Sequence, residues 1–251
     1  MRVLLHPGFH KTATTTAQAF LHENRALIWP HAALVLPARI RSVSEAVFAG
    51  GDVAGAMARF LRGLALSPRR TLILSAENLL GPMPRGGTDS PYPAALPVLR
   101  ALISALGSLG WPVDLTLYFS TRAQAGWEES LWAHHARKDR SPPFTDSLAQ
   151  FRARIGRLPL AEQLARIREG LPGQRIISHD IADLAQAPFG PAQPFVDFLG
   201  RTAPFRPVAP RNAALPRPVT ERLLELNRRE TGAALLAAKR AVRQAAEGRT
   251  A

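Results

Sequence analysis

The fold of this chain is decided at its start, where Arg2-Val-Leu-Leu-His6 leads into Pro7-Gly-Phe-His-Lys-Thr-Ala-Thr-Thr-Thr16. The first stretch has the pattern of a short apolar strand, and the second has that of a turn rich in Gly, Lys and Thr. From Ala17 onward, apolar residues recur at roughly three- and four-residue spacing, which predicts an amphipathic helix. A strand–turn–helix unit aims backbone N–H groups and the positive end of a helix dipole at one spot. The stretch therefore predicts an anion site.

The turn also carries side chains that suit a phosphate or a sulfate. Lys11 adds a mobile cation, and it is one of only three lysines among the 32 Lys and Arg residues. A chain that uses Arg almost everywhere else indicates by this choice that position 11 requires a compact ammonium rather than a planar guanidinium. Hydroxyl donors are supplied by four threonines: Thr12, Thr14, Thr15 and Thr16.

The spacing of the turn excludes the loop that binds nucleoside triphosphates. That loop requires G-x-x-x-x-G-K-[ST], whereas Gly8 lies three positions before Lys11 and no Gly directly precedes the Lys. The segment from Gly8 to Thr15 resembles instead the 5′-phosphosulfate loop of sulfotransferases that use 3′-phosphoadenosine 5′-phosphosulfate (PAPS), approximately G-x-x-K-[ST]-G-T-[ST]. The resemblance implies cofactor contacts from Gly8, Lys11, Thr12, Ala13, Thr14 and Thr15.

Ala13 departs from the family pattern, because it stands where the family usually has Gly. If the backbone there has positive φ, the extra Cβ costs about 1–2 kcal/mol. The loop geometry or the activity would then be compromised, which keeps open a relative of the fold that binds a nucleotide or a protein partner without catalysis.

Short apolar runs alternate with helical patterns along the chain, which predicts an α/β fold with a parallel sheet covered on both faces. The resemblance implies a P-loop-like, three-layer α/β/α version of it. We expect one domain over 1–251, in which 201–251 forms a Pro-rich extended segment and a C-terminal helix capped by Thr220. The predicted strands are 2–6, 33–37 (an edge strand), 71–75, 113–119 and 175–178.

Four polar side chains follow the ends of these strands, namely Lys11, Glu77, Arg122 and Asp180. Ligands of parallel sheets bind beyond the carboxyl ends of the strands. We therefore expect these four groups, from distant parts of the sequence, to meet at one edge of the sheet.

Arg122 and Ser130 have the spacing at which the family uses an Arg and a Ser to hold the 3′-phosphate of the cofactor. A guanidinium and a hydroxyl suit such a dianion, although the alternative is a surface Arg and an ordinary helix Ser. Arg211, beside Asn212, resembles a basic stretch near the end of bacterial members and implies a further cofactor contact.

Glu77 is the first candidate for a general base, since the family places a His or a Glu at the corresponding strand end. The alternatives are a helix N-terminal Glu and a partner for a nearby Arg. His10, beside Lys11, is the second catalytic candidate, while His6 is expected to be structural. No metal site is expected, because His6 and His10 straddle a strand and a turn and the chain has no Cys.

The net charge of +13 does not indicate nucleic-acid binding, because residues 201–251 alone carry 11 Lys and Arg against 4 Asp and Glu. No run of about 18 apolar residues predicts a membrane span, and the absence of Cys suits a cytoplasmic protein. The predicted activity is sulfuryl transfer from PAPS to a hydroxyl or amine of a small-molecule, glycan or lipid acceptor. A kinase-like transferase that uses a nucleoside triphosphate, with Asp180 as its Mg²⁺ ligand, is the other alternative.

Overall fold

The computed structural model describes residues 1–155, 158–211 and 215–247. Short 3-10 turns occur at Glu77–Leu80 and Gly190–Ala192. The strands and helices are, in chain order, β1 (Arg2–His6), α1 (Thr14–Glu23), α2 (Arg25–Ile28), β2 (Ala32–Val35), α3 (Arg41–Phe48), α4 (Val53–Arg62), β3 (Thr71–Ser75), α5 (Ala95–Gly107), β4 (Asp114–Thr121), α6 (Gln124–Arg137), α7 (Leu148–Arg154), α8 (Leu160–Gly170), β5 (Arg175–Asp180), α9 (Ile181–Leu184), α10 (Gln193–Leu199), α11 (Arg217–Arg229) and α12 (Gly232–Glu247).

The described residues group into two compact units. One, the sheet unit, is drawn from 1–83, 92–123 and 158–212, and the other, the helical unit, from 84–91, 124–157 and 213–251. The organisation of 1–251 as a single domain stays a prediction.

The sheet unit contains a five-stranded parallel sheet in the order β2-β3-β1-β4-β5. Strand β1 lies at its centre and pairs with β3 on one side and β4 on the other, so that Leu5 lies opposite Leu74 and Leu117. Strand β2 lies at the edge, as predicted for a strand followed by Pro37. The segment that follows β1 therefore emerges between the carboxyl ends of two neighbouring strands.

Both faces of this sheet are covered, because successive side chains of a strand point to opposite faces. Leu4 belongs to a core cluster with Phe20 and Leu21 of α1 and Phe195 of α10. On the other face, Leu5 is likewise fully buried. The prediction of an α/β fold with a central parallel sheet between helical layers is confirmed.

The helical unit consists of α6, α7, α11 and α12 with segment 84–91. Asn227 of α11 donates to the carbonyl oxygens of Ala136 (3.0 Å) and Phe144 (2.8 Å). These bonds fix the end of α6 and the following loop to α11. Helix α6 ends at Arg137, and segment 138–147 is the loop that leads to α7.

The prediction of one long terminal helix capped by Thr220 is wrong. Helix α11 begins at Arg217 after Pro216, and α12 begins at Gly232. Thr220 lies inside α11, where its hydroxyl donates to the carbonyl of Pro216 at 3.5 Å. Pro218 falls in the first turn of α11, where the missing N–H has no intrahelical partner to lose. The sequence interpretation also missed α7, which begins with a capping box between Ser147 and Gln150.

Candidate functional site

The loop between β1 and α1 has a strained backbone. Gly8, Lys11 and Ala13 have φ angles of 56°, 65° and 62°. Among the residues that the structure describes, Lys11 and Ala13 are the two non-glycine residues with positive φ, a conformation that costs about 1–2 kcal/mol for a residue with a Cβ. Ala13 therefore has the positive φ at which its Cβ is expected to cost free energy. Strain of this kind clusters at ligand-binding sites, so the backbone supports a site here independently of the motif.

Gly8 has a second reason to be glycine. A Cβ at this position would lie 3.0 Å from Cγ2 of Thr14 and 3.1 Å from Nε2 of His6, both closer than ordinary van der Waals contact. The start of the loop therefore packs directly onto the end of β1 and the start of α1.

Helix α1 begins at this loop without a side-chain cap. Ala13 is its N-cap residue and forms no side-chain capping bond, while its carbonyl accepts the N–H groups of Thr16 and Ala17 at 3.1 and 3.3 Å. The first N–H groups of a helix have no intrahelical acceptor. An anion is suited to satisfy them and is favoured there by the helix dipole.

Two hydrogen-bonded anchors hold the loop between the ends of β3 and β4. On the β4 side, the fully buried Thr12 donates its hydroxyl to the carbonyl of Phe9 (2.6 Å) and accepts from the hydroxyl of Ser120 (2.8 Å). Because the single hydroxyl proton is used within the loop, Thr12 has only its backbone N–H left to donate to a ligand. Thr14 is buried at the start of α1, whereas Thr15 is exposed.

On the β3 side, the buried His10 is the anchor. Its Nε2 lies 3.3 Å from Oδ1 of Asn78, its Nδ1 lies 3.2 Å from the Tyr92 hydroxyl, and its backbone N–H donates to the same hydroxyl at 2.8 Å. Since an amide oxygen can only accept, Nε2 carries the proton and Nδ1 accepts from Tyr92. Both ring nitrogens of His10 are thus engaged in holding the loop.

Glu77 lies beside this loop, in the 3-10 turn that follows β3. Its Oε2 accepts from Nε2 of Gln18 on α1 at 2.8 Å, and its side chain is half-buried. A general base requires such a position, because the carboxylate is oriented by one hydrogen bond and keeps acceptor capacity for a proton.

Lys11 and Glu77 both lie near His10, because Lys11 is its neighbour in the chain and Asn78, which follows Glu77, contacts its Nε2. Burial lowers the pKa of His10 below its ordinary value; the negative charge of Glu77 and the hydrogen bond to Asn78 oppose this, and the positive charge of Lys11 adds to it. The structure therefore brings together Lys11, His10 and Glu77, all three predicted catalytic residues.

His6 lies beneath the loop and has the structural environment expected for it. Its ring stacks on Tyr118 at 4.6 Å between centroids, and Nδ1 lies 2.8 Å from the hydroxyl oxygen of Ser75. Complete burial lowers the pKa of His6 to about 3, so the ring is neutral at pH 7.

The other predicted cofactor residues are Arg122, Ser130 and Arg211. Arg122 follows β4 in the sheet unit, whereas Ser130 lies on α6 in the helical unit, so a joint contact with a 3′-phosphate stays a prediction. Arg211 donates its backbone N–H to the hydroxyl of Thr16 at 2.9 Å, but its guanidinium pairs with Glu23, at the other end of α1 from the loop, at 2.6 Å. Contact of that guanidinium with a cofactor would require the ion pair to break.

Asp180, the Mg²⁺ ligand in the kinase-like alternative, has a local structural function. Its Oδ1 accepts the N–H of Ala182 at 2.9 Å and caps α9. Within 1–155, 158–211 and 215–247, no group of three His, Cys, Asp or Glu side chains is placed to hold a metal ion. No helix in the same described ranges is long and apolar enough to cross a membrane.

Four residues of the site were not selected from the sequence: Gln18, Asn78, Tyr92 and Ser120. Asn78 and Ser120 each lie at or just after a predicted strand end, which is a signal that could have found them. Tyr92 is one of only two tyrosines and lies in a Pro- and Gly-rich loop, but its contact with His10 depends on tertiary structure that no local pattern predicts.

The chain is similar to a solved structure of a sulfotransferase from Alicyclobacillus acidocaldarius. The two share 16% sequence identity with a TM-score of 0.49, over 95% of this chain and 98% of the other. No protein-family model matches the chain, and no curated protein matches it significantly. A likeness of this strength does not assign a family or an activity.

Proposed function

We propose that this protein is a sulfotransferase that takes its sulfuryl group from PAPS. The observation that carries the proposal is the loop from Gly8 to Ala13, which joins a motif resembling the phosphosulfate loop to a strained backbone and an uncapped helix N-terminus. These groups fit the phosphosulfate end of PAPS, because they offer backbone N–H groups and an ammonium to one anion. PAPS would supply a sulfuryl group that passes to an acceptor hydroxyl or amine by in-line displacement.

Lys11 and the N–H groups at the start of α1 would act on the leaving group. Negative charge grows on the leaving phosphate as the bond to sulfur breaks, and donors held in place beforehand offset it without reorganisation. The hydrogen bonds of Thr12 and His10 fix the loop in the conformation that aims these donors. In this scheme His10 acts as a positioning residue.

Glu77 would accept the proton of the attacking hydroxyl or amine, and Gln18 would orient its carboxylate. Arg122 and Ser130 would hold the 3′-phosphate, and Arg211 would add a further contact. The acceptor is a small molecule, a glycan or a lipid, and we place the enzyme in the cytoplasm.

Ligand-induced thermal stabilisation of the full chain tests the cofactor. Adenosine 3′,5′-bisphosphate at about 100 times its Kd should add roughly 2.7 kcal/mol of stability without any metal ion, which raises the Tm by about 5–10 °C for a chain of this size. A shift with ATP and Mg²⁺ but none with the bisphosphate would refute the proposal and favour the kinase-like alternative. Binding of the bisphosphate, with no sulfuryl transfer from PAPS to any acceptor, would favour the non-catalytic relative of the fold.

Arg122 provides a sharper arm of the same experiment. Arg122→Ala should weaken binding of adenosine 3′,5′-bisphosphate about 10-fold or more, since it removes a charged hydrogen bond, and should spare adenosine 5′-phosphosulfate, which lacks the 3′-phosphate. Arg175→Ala is the matched control, because this exposed arginine lies at the first residue of β5, whereas Arg122 follows the last residue of β4. Equal weakening of both nucleotides by Arg122→Ala would remove this residue from 3′-phosphate recognition.

The base is tested with acceptors of different acidity. Glu77→Gln should keep nucleotide affinity and slow transfer to an aliphatic alcohol by about 10²–10⁴-fold. The loss should shrink for a nitrophenol at high pH, because a phenolate has no proton to remove. The exposed Glu45→Gln on α3 is the control. The same loss with both acceptors would show that Glu77 is not the base.

A further inference from the structure

The helical unit contains a group of basic side chains around residues 138–140. Lys239 of α12 donates to the carbonyl of Lys138 at 2.8 Å and lies 3.3 Å from Oδ1 of Asp139, and Arg243 lies 3.4 Å from Oδ2 of the same carboxylate. The charge of Asp139 is therefore shared between two cations. Arg140, the next residue, forms no ion pair with Asp139 in the described structure, and its positive charge lowers the pKa of Lys239.

Arg140 lacks a carboxylate partner among the described residues. Its Nη2 lies 3.0 Å from Nδ1 of His135, while its Nε is buried from water and has no hydrogen-bond partner in the described structure. Burial lowers the pKa of Arg140, and the positive charge of Arg85 lowers it further. The guanidinium thus carries a charge that neither water nor an acid neutralises on its buried side.

His135 connects Arg140 to the segment that carries Arg85. Its Nε2 lies 2.6 Å from the carbonyl oxygen of Pro84 and must donate, so Nδ1 accepts from Arg140 and the ring is neutral. The ring is buried, and it packs on Phe144 and Phe151 at 5.5 and 5.7 Å between centroids. One rigid imidazole therefore fixes both the Arg140 guanidinium and the backbone next to Arg85.

The segment after Arg85 is held equally closely. The N–H of Gly87 donates to the carbonyl of Arg154 at 2.9 Å, and a Cβ at Gly86 would lie only 2.5 Å from that same oxygen. Hydrogen bonds on both sides of Arg85 thus hold its backbone, although its side chain is exposed. The hydrogen bonds from Arg140 through His135 to Pro84 thus place Arg85 beside the group that fixes Arg140, close enough for its positive charge to lower the pKa of Arg140.

We propose that Arg85 and Arg140 form a binding site for a sulfate or phosphate group. Two guanidinium groups supply the positive charge and the paired N–H donors that the oxygen atoms of such an anion require. Because Nε of Arg140 is closed off, the ligand contacts the exposed remainder of this guanidinium together with Arg85. The site lies within the helical unit and does not rest on sulfuryl transfer by the loop at Gly8–Ala13.

The guanidinium NMR signals of the 251-residue chain provide the test. A buried Arg140 Nε–H should exchange slowly with water and give a distinct signal, identified by its loss in Arg140→Lys. Titration with inorganic sulfate and with glucose 6-sulfate should shift this signal to saturation. Tighter binding of the ester would identify a group on a larger molecule as the ligand, and tighter binding of the free ion would identify the ion itself; both support the site.

Matched variants separate this site from other anion sites. Arg85→Gln, which changes an exposed side chain, should lower the affinity about 10-fold or more, as expected for the loss of one charged hydrogen bond. Arg222→Gln in the same unit, whose guanidinium pairs with Glu225, and Lys11→Ala in the anion loop should both leave the affinity unchanged. An Arg140 signal that stays fixed, or that shifts with the same affinity in Arg85→Gln, would overturn the proposal.

Discussion

Two of the three lysines in this arginine-rich chain place the same ammonium group in opposite settings. The Lys239 side chain is only 1% exposed and is fixed by the Lys138 carbonyl and Asp139, on a regular helix. Lys11 is half-exposed, and its own backbone is in the left-handed region. At Lys239, the Lys138 carbonyl and the Asp139 carboxylate contact the ammonium, so that its charge stabilises the fold. At Lys11, a strained left-handed backbone conformation holds the ammonium in the anion loop. The difference separates a structural cation from one that we expect to act on a ligand.

The largest expected effect is on transfer rate. Lys11→Ala should lower turnover by roughly 10²–10³-fold, as the loss of one preorganised donor does, with every acceptor, because all reactions share the leaving group. Lys239→Met should leave the turnover of the folded protein within a few-fold of wild type. Transfer to a nitrophenol and to an alcohol, with the folded fraction checked by circular dichroism, measures both. Similar losses of turnover in Lys11→Ala and Lys239→Met would contradict the assignment of Lys239 to the fold and of Lys11 to a ligand.

The second effect is on stability, for which we expect the substitution of Lys239 to matter more than that of Lys11. Lys239→Met removes the hydrogen bond to the Lys138 carbonyl and leaves Asp139 with one cation fewer, which should cost about 1.5–3 kcal/mol. For a chain of this size the Tm should fall by roughly 3–10 °C in calorimetry. Lys138→Met is the control, because this exposed residue contributes its backbone carbonyl rather than its side chain. A Tm that is unchanged in Lys239→Met would show that the buried ion pair does not stabilise the fold.

A third effect concerns acid, because the sheet unit buries the neutral His6 beneath the anion loop. The pKa of His6 is about 3 in the folded state against 6.5 for the ordinary group. The unfolded chain therefore binds a proton that the native state does not as the pH falls below about 6.5, and stability decreases by up to about 1.4 kcal/mol per pH unit toward pH 3. This stability is fully present above pH 6.5.

Unfolding by urea between pH 7 and 4.5 measures that slope. His6→Asn should reduce this slope and leave the part that comes from His10, whose pKa is also lowered by burial, whereas the exposed His22→Gln on α1 should retain the full slope. An unaltered slope in His6→Asn would assign the acid sensitivity to other groups.

The smallest effect concerns strain in the loop. Ala13→Gly should raise the free energy of unfolding by about 0.5–1 kcal/mol, because relief of the left-handed penalty exceeds the entropy that Gly adds to the unfolded chain. Ala49→Gly, at an exposed helix end with φ of −80°, should be destabilising by a similar amount. If both substitutions destabilise equally, the left-handed conformation of Ala13 carries no strain.

The sequence predicted the sheet well, because each strand is a compact apolar run with a local pattern. The bounds of β3 are correct, and the convergence of strand ends follows from the parallel arrangement alone. Ala13 could be recognised as a site of strain because a motif specified the residue type expected there. The break between α11 and α12 was missed although two sequence signals mark it: residues 227–232 contain no apolar side chain, and the last of them is Gly232, which has a φ of 58°. The anchoring of His10 by Tyr92 could not be predicted, since the two residues lie 82 positions apart.

The anchoring of the anion loop on both sides has a consequence for binding kinetics. The loop is fixed by contacts within the protein itself, with Ser120 and Phe9 on one side and Asn78 and Tyr92 on the other. A preorganised site does not lose loop entropy on binding. We therefore expect association of the nucleotide to be a single step, linear in ligand concentration and limited by encounter rather than by closure of the loop. Differences in affinity among variants of this loop should then reside mainly in how long the nucleotide stays bound.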